Sequence, residues 1–144
     1  MNTGTERLKL DPTGGTETIL LVEDEDSLRV VVTYFLSQKL GYNLLPAGSG
    51  EEALHLVESY SGNIDLLLTD VLLPGISGSE LAEKMLSSRP NLKIMYVSGY
   101  PDCNLEPKGM SSSDVVLLQK PFTIRSLAIK LREVLDRHEN NNKS

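Results

Sequence analysis

The sequence predicts an α/β fold, a parallel sheet doubly wound with helices on both faces. Three observations point there. Short apolar runs recur along the chain, stretches of helical period separate them, and several runs end in a charged or hydroxyl residue. Fully apolar runs of strand length read as strands buried on both faces, the mark of parallel sheets. Crossovers between parallel strands are right-handed in nearly all proteins, which makes a doubly wound sandwich the expected architecture.

Each element follows in order. Residues 1–16 are polar, carry Pro12 and the pair Gly14-Gly15, and show no periodicity, so they read as a linker or disordered segment. The first strand is Thr18–Val22, which closes on Glu23 and Asp24. A helix is expected from Asp26 to Lys39, with Leu28, Val31, Val32, Phe35, Leu36 and Leu40 on one stripe and Gly41 as its stop. Asn43–Ala47 is a short second strand. Ser49 and Glu52 have capping-box spacing and open a helix whose inner side is Ala53, Leu54 and Val57. Ile64–Thr69, in the stretch NIDLLLTD, is a third strand closed by Asp70.

Ser77 and Glu80 repeat the capping-box spacing ahead of Leu81, Ala82, Met85 and Leu86, and Pro90 ends that helix. Lys93–Val97 and Asp114–Leu118 are the fourth and fifth strands. Between them, Pro101–Ser113 contains Pro107 and Gly109 and reads as a short or irregular helix. Thr123 caps the last helix, which carries Ile124, Leu127, Ala128, Leu131, Val134 and Leu135 at helical intervals. Residues 138–144, HENNNKS, read as a frayed tail, which leaves one domain over 17–137.

Composition narrows the function. A chain of 144 residues is one domain by size and long enough to bury a core. The formal net charge of −6 gives no support for direct nucleic-acid binding, which needs clustered Lys and Arg. The single Cys103 has no internal disulfide partner, which fits a reducing compartment. No apolar stretch reaches membrane-spanning length and no signal-peptide pattern opens the chain, so a cytoplasmic domain without membrane contact is expected.

Ligands of doubly wound sheets sit beyond the carboxyl ends of the strands. Glu23, Asp24, Asp70, Ser98 and Lys120 all fall at or just past such ends. Taken singly each has an ordinary use: an acidic run favours a helix N-terminus, an aspartate before Pro74-Gly75 suits a turn, and a lysine before proline suits a surface. Together they describe a phosphate-handling site. Mg2+ prefers oxygen ligands and keeps several waters, so Asp24 and Asp70 suffice as direct ligands, with Glu23 direct or through water. Asp70 is then a candidate nucleophile towards a phosphoryl group, with Lys120 and Ser98 to support its oxygens and Gly99 to leave room for entry.

With those residues placed, the chain resembles a response-regulator receiver domain, the CheY-like fold of two-component signalling. The matching stretches are ILLVEDED at 19–26, LLLTDVLLPGISG at 66–78, YVSGY at 96–100 and LLQKPF at 117–122. The resemblance spans Thr18 to Arg137 and implies a flavodoxin-like (βα)5 three-layer sandwich with strand order 2-1-3-4-5. It implies Asp70 as the phosphoacceptor, modified to an aspartyl phosphate, and Glu23 and Asp24 as the acidic pair for Mg2+. The backbone carbonyl of Leu72 would complete the metal ligands, Ser98 is the switch hydroxyl, Lys120 the family lysine, and Lys120-Pro121 a cis bond. The implied partner is a histidine kinase or histidine phosphotransfer domain, with a homodimer possible. The domain would signal rather than act as an enzyme on other substrates. Its flanks are similar to those of receivers at the C-terminus of hybrid histidine kinases, a free-standing regulator being the near alternative.

Two positions depart from the family pattern. Leu117 stands where an aromatic often couples to the switch hydroxyl, so the signal is expected to travel by loop and helix shifts. Leu72 and Tyr100 occupy the variable positions that flank the water path. Leu72 has no group to orient water and Tyr100 is bulky, so slow self-dephosphorylation is expected. Decay of the acyl phosphate should quicken in Leu72→Asn. The competing readings are a pseudo-receiver that only binds partners, against which the full acid, hydroxyl and lysine set argues, and a phosphate-ester hydrolase, for which no lid is evident. Flavin binding is disfavoured by the acidic loop after the first strand.

Overall fold

The computed structural model describes residues 13–99 and 116–137. Within them lie five strands: β1 (Thr18–Val22), β2 (Asn43–Ala47), β3 (Leu66–Asp70), β4 (Lys93–Ser98) and β5 (Val116–Gln119). All pair in parallel, in the order β2-β1-β3-β4-β5. Four α-helices accompany them: α1 (Asp26–Tyr34), α2 (Gly50–Ser59), α3 (Gly78–Ser88) and α4 (Ile124–Leu135). The expected strand order and the helices either side of the sheet are thus present. The irregular helix expected over 101–113 lies outside the described residues.

Strand side chains alternate between faces, and the core divides accordingly. Ile19, Leu21, Leu66 and Leu68 face α1, the turn that follows it and α4, where Val32, Leu36, Leu127 and Leu131 meet them. Leu20, Leu67 and Ile94 face the other way, onto Ala53 of α2 and Leu81, Ala82 and Met85 of α3. Leu54, Val57 and Leu86 are only partly buried at the margin of that second layer. β1 and β3 are buried at every position, as strands covered on both faces must be. β2 is an edge strand and carries Pro46 opposite Leu21.

The caps behave as their spacing predicts. Ser49, Ser77 and Thr123 each accept a bond from the amide three residues on, and Thr123 and Ser126 form a full reciprocal box. Glu52 reaches one residue further back than a box requires and accepts from the Gly48 amide at 2.7 Å.

Several details differ from expectation. The helix that starts at Asp26 is α-helical only to Tyr34, and Phe35–Lys39 form a π-helical turn. Ser37 donates its hydroxyl to the Thr33 carbonyl at 2.6 Å, and the Leu40 amide reaches back five residues to Phe35 at 3.2 Å. That side-chain bond competes with the regular ladder and widens the turn. Val31, expected on the inner stripe, is 51% exposed, because Val32 takes the core position instead. β4 extends one residue further, to Ser98.

Thr13 to Thr16, read from sequence as linker, lie against the domain. Gly15 donates to the Leu40 carbonyl at 3.0 Å, and the adjacent Glu17 is ion-paired to Arg132 of α4 at 2.6 Å. The guanidinium holds the Glu17 carboxyl below the ordinary carboxylate range.

Tyr96 on β4 is fully buried beside Leu117 of β5, and among the described residues its hydroxyl has no hydrogen-bond partner. Burial, and secondarily the charge of Glu83, push its ionisation well above the usual phenol value. An unmade bond at a buried hydroxyl costs about 1–3 kcal/mol. Tyr96→Phe is therefore expected to raise the urea midpoint, by about 1 kcal/mol of stability.

Candidate functional site

β1 and β3 are adjacent and parallel, so their carboxyl ends open on the same edge of the sheet. Sequence puts Glu23 and Asp24 just past one end and Asp70 at the other. Carboxylate oxygens of all three lie within 4.8 Å of one another. Glu23 and Asp70 are buried, whereas Asp24 is exposed. Lys120, just past β5, reaches in from the far side. Its ammonium donates to Glu23 Oε1 at 3.3 Å and sits 3.1 Å from Asp70 Oδ1. That Oδ1 is buried, and the Lys120 ammonium is the cation that faces it.

Ser98 ends β4, one residue past the Asp70–Val97 pairing, and is buried. The Lys120 amide donates to the Ser98 carbonyl at 2.7 Å, which ties the lysine loop to β4. The Lys120-Pro121 bond is cis. Leu72 lies two residues past Asp70 with its side chain 59% exposed. Leu117 is partly buried in the layer that holds Tyr96. Tyr100 lies outside the described residues. The structure therefore gathers Glu23, Asp24, Asp70, Ser98 and Lys120 at one edge.

Crowding of like charges sets the electrostatics. Burial raises the Asp70 carboxyl, the hydrogen bond and charge of Glu23 raise it further, and Lys120 only partly offsets them, leaving it at about 7. For Lys120, burial presses the ammonium down, but the charges and hydrogen bonds of Asp70 and Glu23 outweigh that and hold it above its ordinary value. The donor set fits a hard divalent cation: it is all oxygen, three carboxylates share a single facing ammonium among the described residues, and exposed Asp24 leaves the ion its waters.

Sequence reasoning missed three supports of this edge. Arg29 donates to the Glu23 carbonyl at 2.7 Å and pairs with Asp26 at 2.7 Å, which pins the acidic loop to α1. The Asp26 pairing has helical i,i+3 spacing and was open to discovery. Thr69 donates its hydroxyl to the Asp70 carbonyl at 2.9 Å. Gly78 opens α3 so close to β3 that a Cβ there would overlap the Asp70 carbonyl oxygen. Beside Lys120 lies an open recess of about 380 Å³, walled by Glu25, Leu28, Pro121 and Phe122.

Residues 19–132 match the response regulator receiver domain family. The chain belongs to that family. The receiver is 34% identical over 125 residues to the sensor kinase CckA of Brucella abortus (strain 2308), a match that takes in 87% of this chain and 13% of the kinase. It is 32% identical to the response regulator receiver protein CpdR of the same strain, over 81% of this chain and 95% of CpdR. Among solved structures, the receiver domain of the hybrid histidine kinase CckA superposes with a TM-score of 0.69 at 39% identity, over 83% of this chain and 99% of that one. The receiver thus spans a small part of CckA, and 31% of a second relative, a cyclic di-GMP phosphodiesterase of Thermotoga maritima. No helix among the described residues is long and apolar enough to cross a membrane.

Proposed function

We propose that this receiver, a signalling domain of two-component systems, accepts a phosphoryl group on Asp70 from a phosphohistidine, on a histidine kinase or a histidine phosphotransfer domain. The observation that carries the reading is the buried Asp70 carboxylate, 3.1 Å from the Lys120 ammonium and grouped with Glu23 and Asp24. Asp70 attacks phosphorus with a carboxylate oxygen, the bond to the donor nitrogen breaks, and its electron pair leaves with the imidazole. Lys120 supports one phosphoryl oxygen and the Ser98 hydroxyl another. Glu23, Asp24, Asp70 and the Leu72 carbonyl would hold Mg2+, which supplies charge neutralisation for the acidic edge and the phosphoryl oxygens. Asp70 then carries a dianion that shifts a two-state surface presented to partners. The domain over 17–137 acts in the cytoplasm on this reading.

Incubation with acetyl phosphate and Mg2+ should add one phosphoryl mass to the intact protein. Omission of Mg2+, or Asp70→Asn, should abolish the addition. Phosphate that survives either change would overturn the mechanism, and no incorporation at all would favour a pseudo-receiver that works only by binding partners.

A further inference from the structure

The acidic edge explains Lys120, ahead of α4, but not the guanidinium near the other end of that helix. Arg132 makes a forked pair with Glu17: Nη2 donates to Oε2 at 2.6 Å and Nη1 to Oε1 at 3.1 Å. The same Nη1 donates to the Gly14 carbonyl at 3.1 Å and lies 3.3 Å from the Tyr42 hydroxyl. Nε and Nη2 also reach Asp136, one turn on, at 3.2 and 2.9 Å. A forked guanidinium–carboxylate pair fixes orientation as well as distance.

The gripped segment is built for close approach. A Cβ at Gly14 would overlap the Leu40 carbonyl, and one at Gly15 would overlap the Glu17 and Arg132 side chains. The Gly15 amide donates to the Leu40 carbonyl at 3.0 Å, and the Tyr42 hydroxyl donates to the Thr13 carbonyl at 3.4 Å. The strand itself starts only at Thr18, so these contacts hold chain that the sheet does not. They come from α4, from the end of the π turn and from Tyr42.

α4 connects this grip with the acidic site. Its cap, Thr123, follows Lys120 by three residues, and its 12 residues run unbroken to Leu135. Such a helix is a rod about 18 Å long. A phosphoryl group on Asp70 would give Lys120 new oxygens to hold, and any movement of the Lys120 loop reaches the helix cap at once.

We propose that Arg132 is a latch joining Thr13–Glu17 to α4, so that a shift of α4 driven from Lys120 redirects the chain that precedes the domain. By linkage, restraint of that preceding chain biases α4 and the acidic site by the same free energy. The coupling rests on Asp70 as phosphoacceptor; the latch does not.

Amide exchange at Gly15 tests it, in protein with and without acetyl phosphate and Mg2+, with uptake followed by intact mass. In the wild type, uptake should change Gly15 exchange at least threefold. In Arg132→Ala, exchange at Gly15 should be at least tenfold faster in both states and indifferent to uptake. The amides of Leu67 and Leu68 in β3 should stay protected, showing that the variant folds. Gly15 exchange unaltered by Arg132→Ala would overturn the latch, and Gly15 exchange unaltered by verified uptake would overturn the coupling. Absence of uptake in the wild type would instead refute the phosphoacceptor reading and with it the coupling, and the Arg132→Ala comparison would still decide the latch.

Discussion

Alanine at position 78 should cost about 2–3 kcal/mol of stability, the upper part of the range for overpacking, and slow phosphate uptake as well. The added methyl would meet the Asp70 carbonyl oxygen, the Asp70 carbonyl carbon and the Val71 Cα, all of them backbone. No side chain can rotate to make room. Either α3 retreats from the sheet, which breaks the bond from the Gly78 amide to the Val71 carbonyl at 2.8 Å, or the end of β3 moves. The second response displaces Asp70 itself. Gly99 provides the control for stability alone, since a Cβ there meets nothing within 4 Å among the described residues. Urea unfolding of the two alanine variants separates a general dislike of alanine from a clash at Asp70, and acetyl phosphate uptake is compared between Gly78→Ala and the wild type. Equal midpoints would dismiss the clash.

Metal-free protein should lose stability as pH rises from 5 to 8, and Asp70→Asn should remove that slope. Asp70 is raised from 3.8 to about 7 by burial first and then by Glu23. The folded state therefore holds a proton that the unfolded chain has released, and between these values folding takes protons up. The stabilisation is complete below the unfolded value and is lost as pH climbs through about 7. One pKa unit corresponds to about 1.4 kcal/mol. After allowance for solvent at the mouth of the site, the loss is about 2 kcal/mol. The amide introduced by Asp70→Asn has no charge to place beside Glu23, so the variant should be the more stable protein at pH 8. Mg2+ opposes the same repulsion and should raise the melting temperature at pH 8 far more than at pH 5.5. A wild-type stability that is flat across this window would count against the crowded-carboxylate account.

The acidic edge was legible because each of its residues sits beside a strand end, and strand ends are the clearest boundary in an alternating sequence. Ser98, Lys120 and the carboxylates needed no long-range information beyond the topology. Val31 shows the limit of periodicity: Val30, Val31 and Val32 are consecutive, and spacing alone does not say which of the three turns inward. The π turn was hidden for a related reason, since Ser37 carries no signal that its hydroxyl will bond Thr33 rather than solvent. The grip of Arg132 on Glu17 joins residues 115 positions apart, and no local pattern announces such a pair. Gly78 was visible only as part of a helix start; its need for bare backbone belongs to the approach of α3 to β3.

Pro46 has a consequence for the company this domain keeps. β2 is the edge strand beyond β1, and an unprotected edge offers its amides to any passing strand. Proline is accepted at such an edge where its missing donor would have faced solvent. One rung of the would-be sixth strand is therefore absent from a segment only five residues long. The sheet is closed to growth on that side by chemistry rather than by a covering helix, and a concentrated solution of this receiver should resist edge-to-edge association through β2.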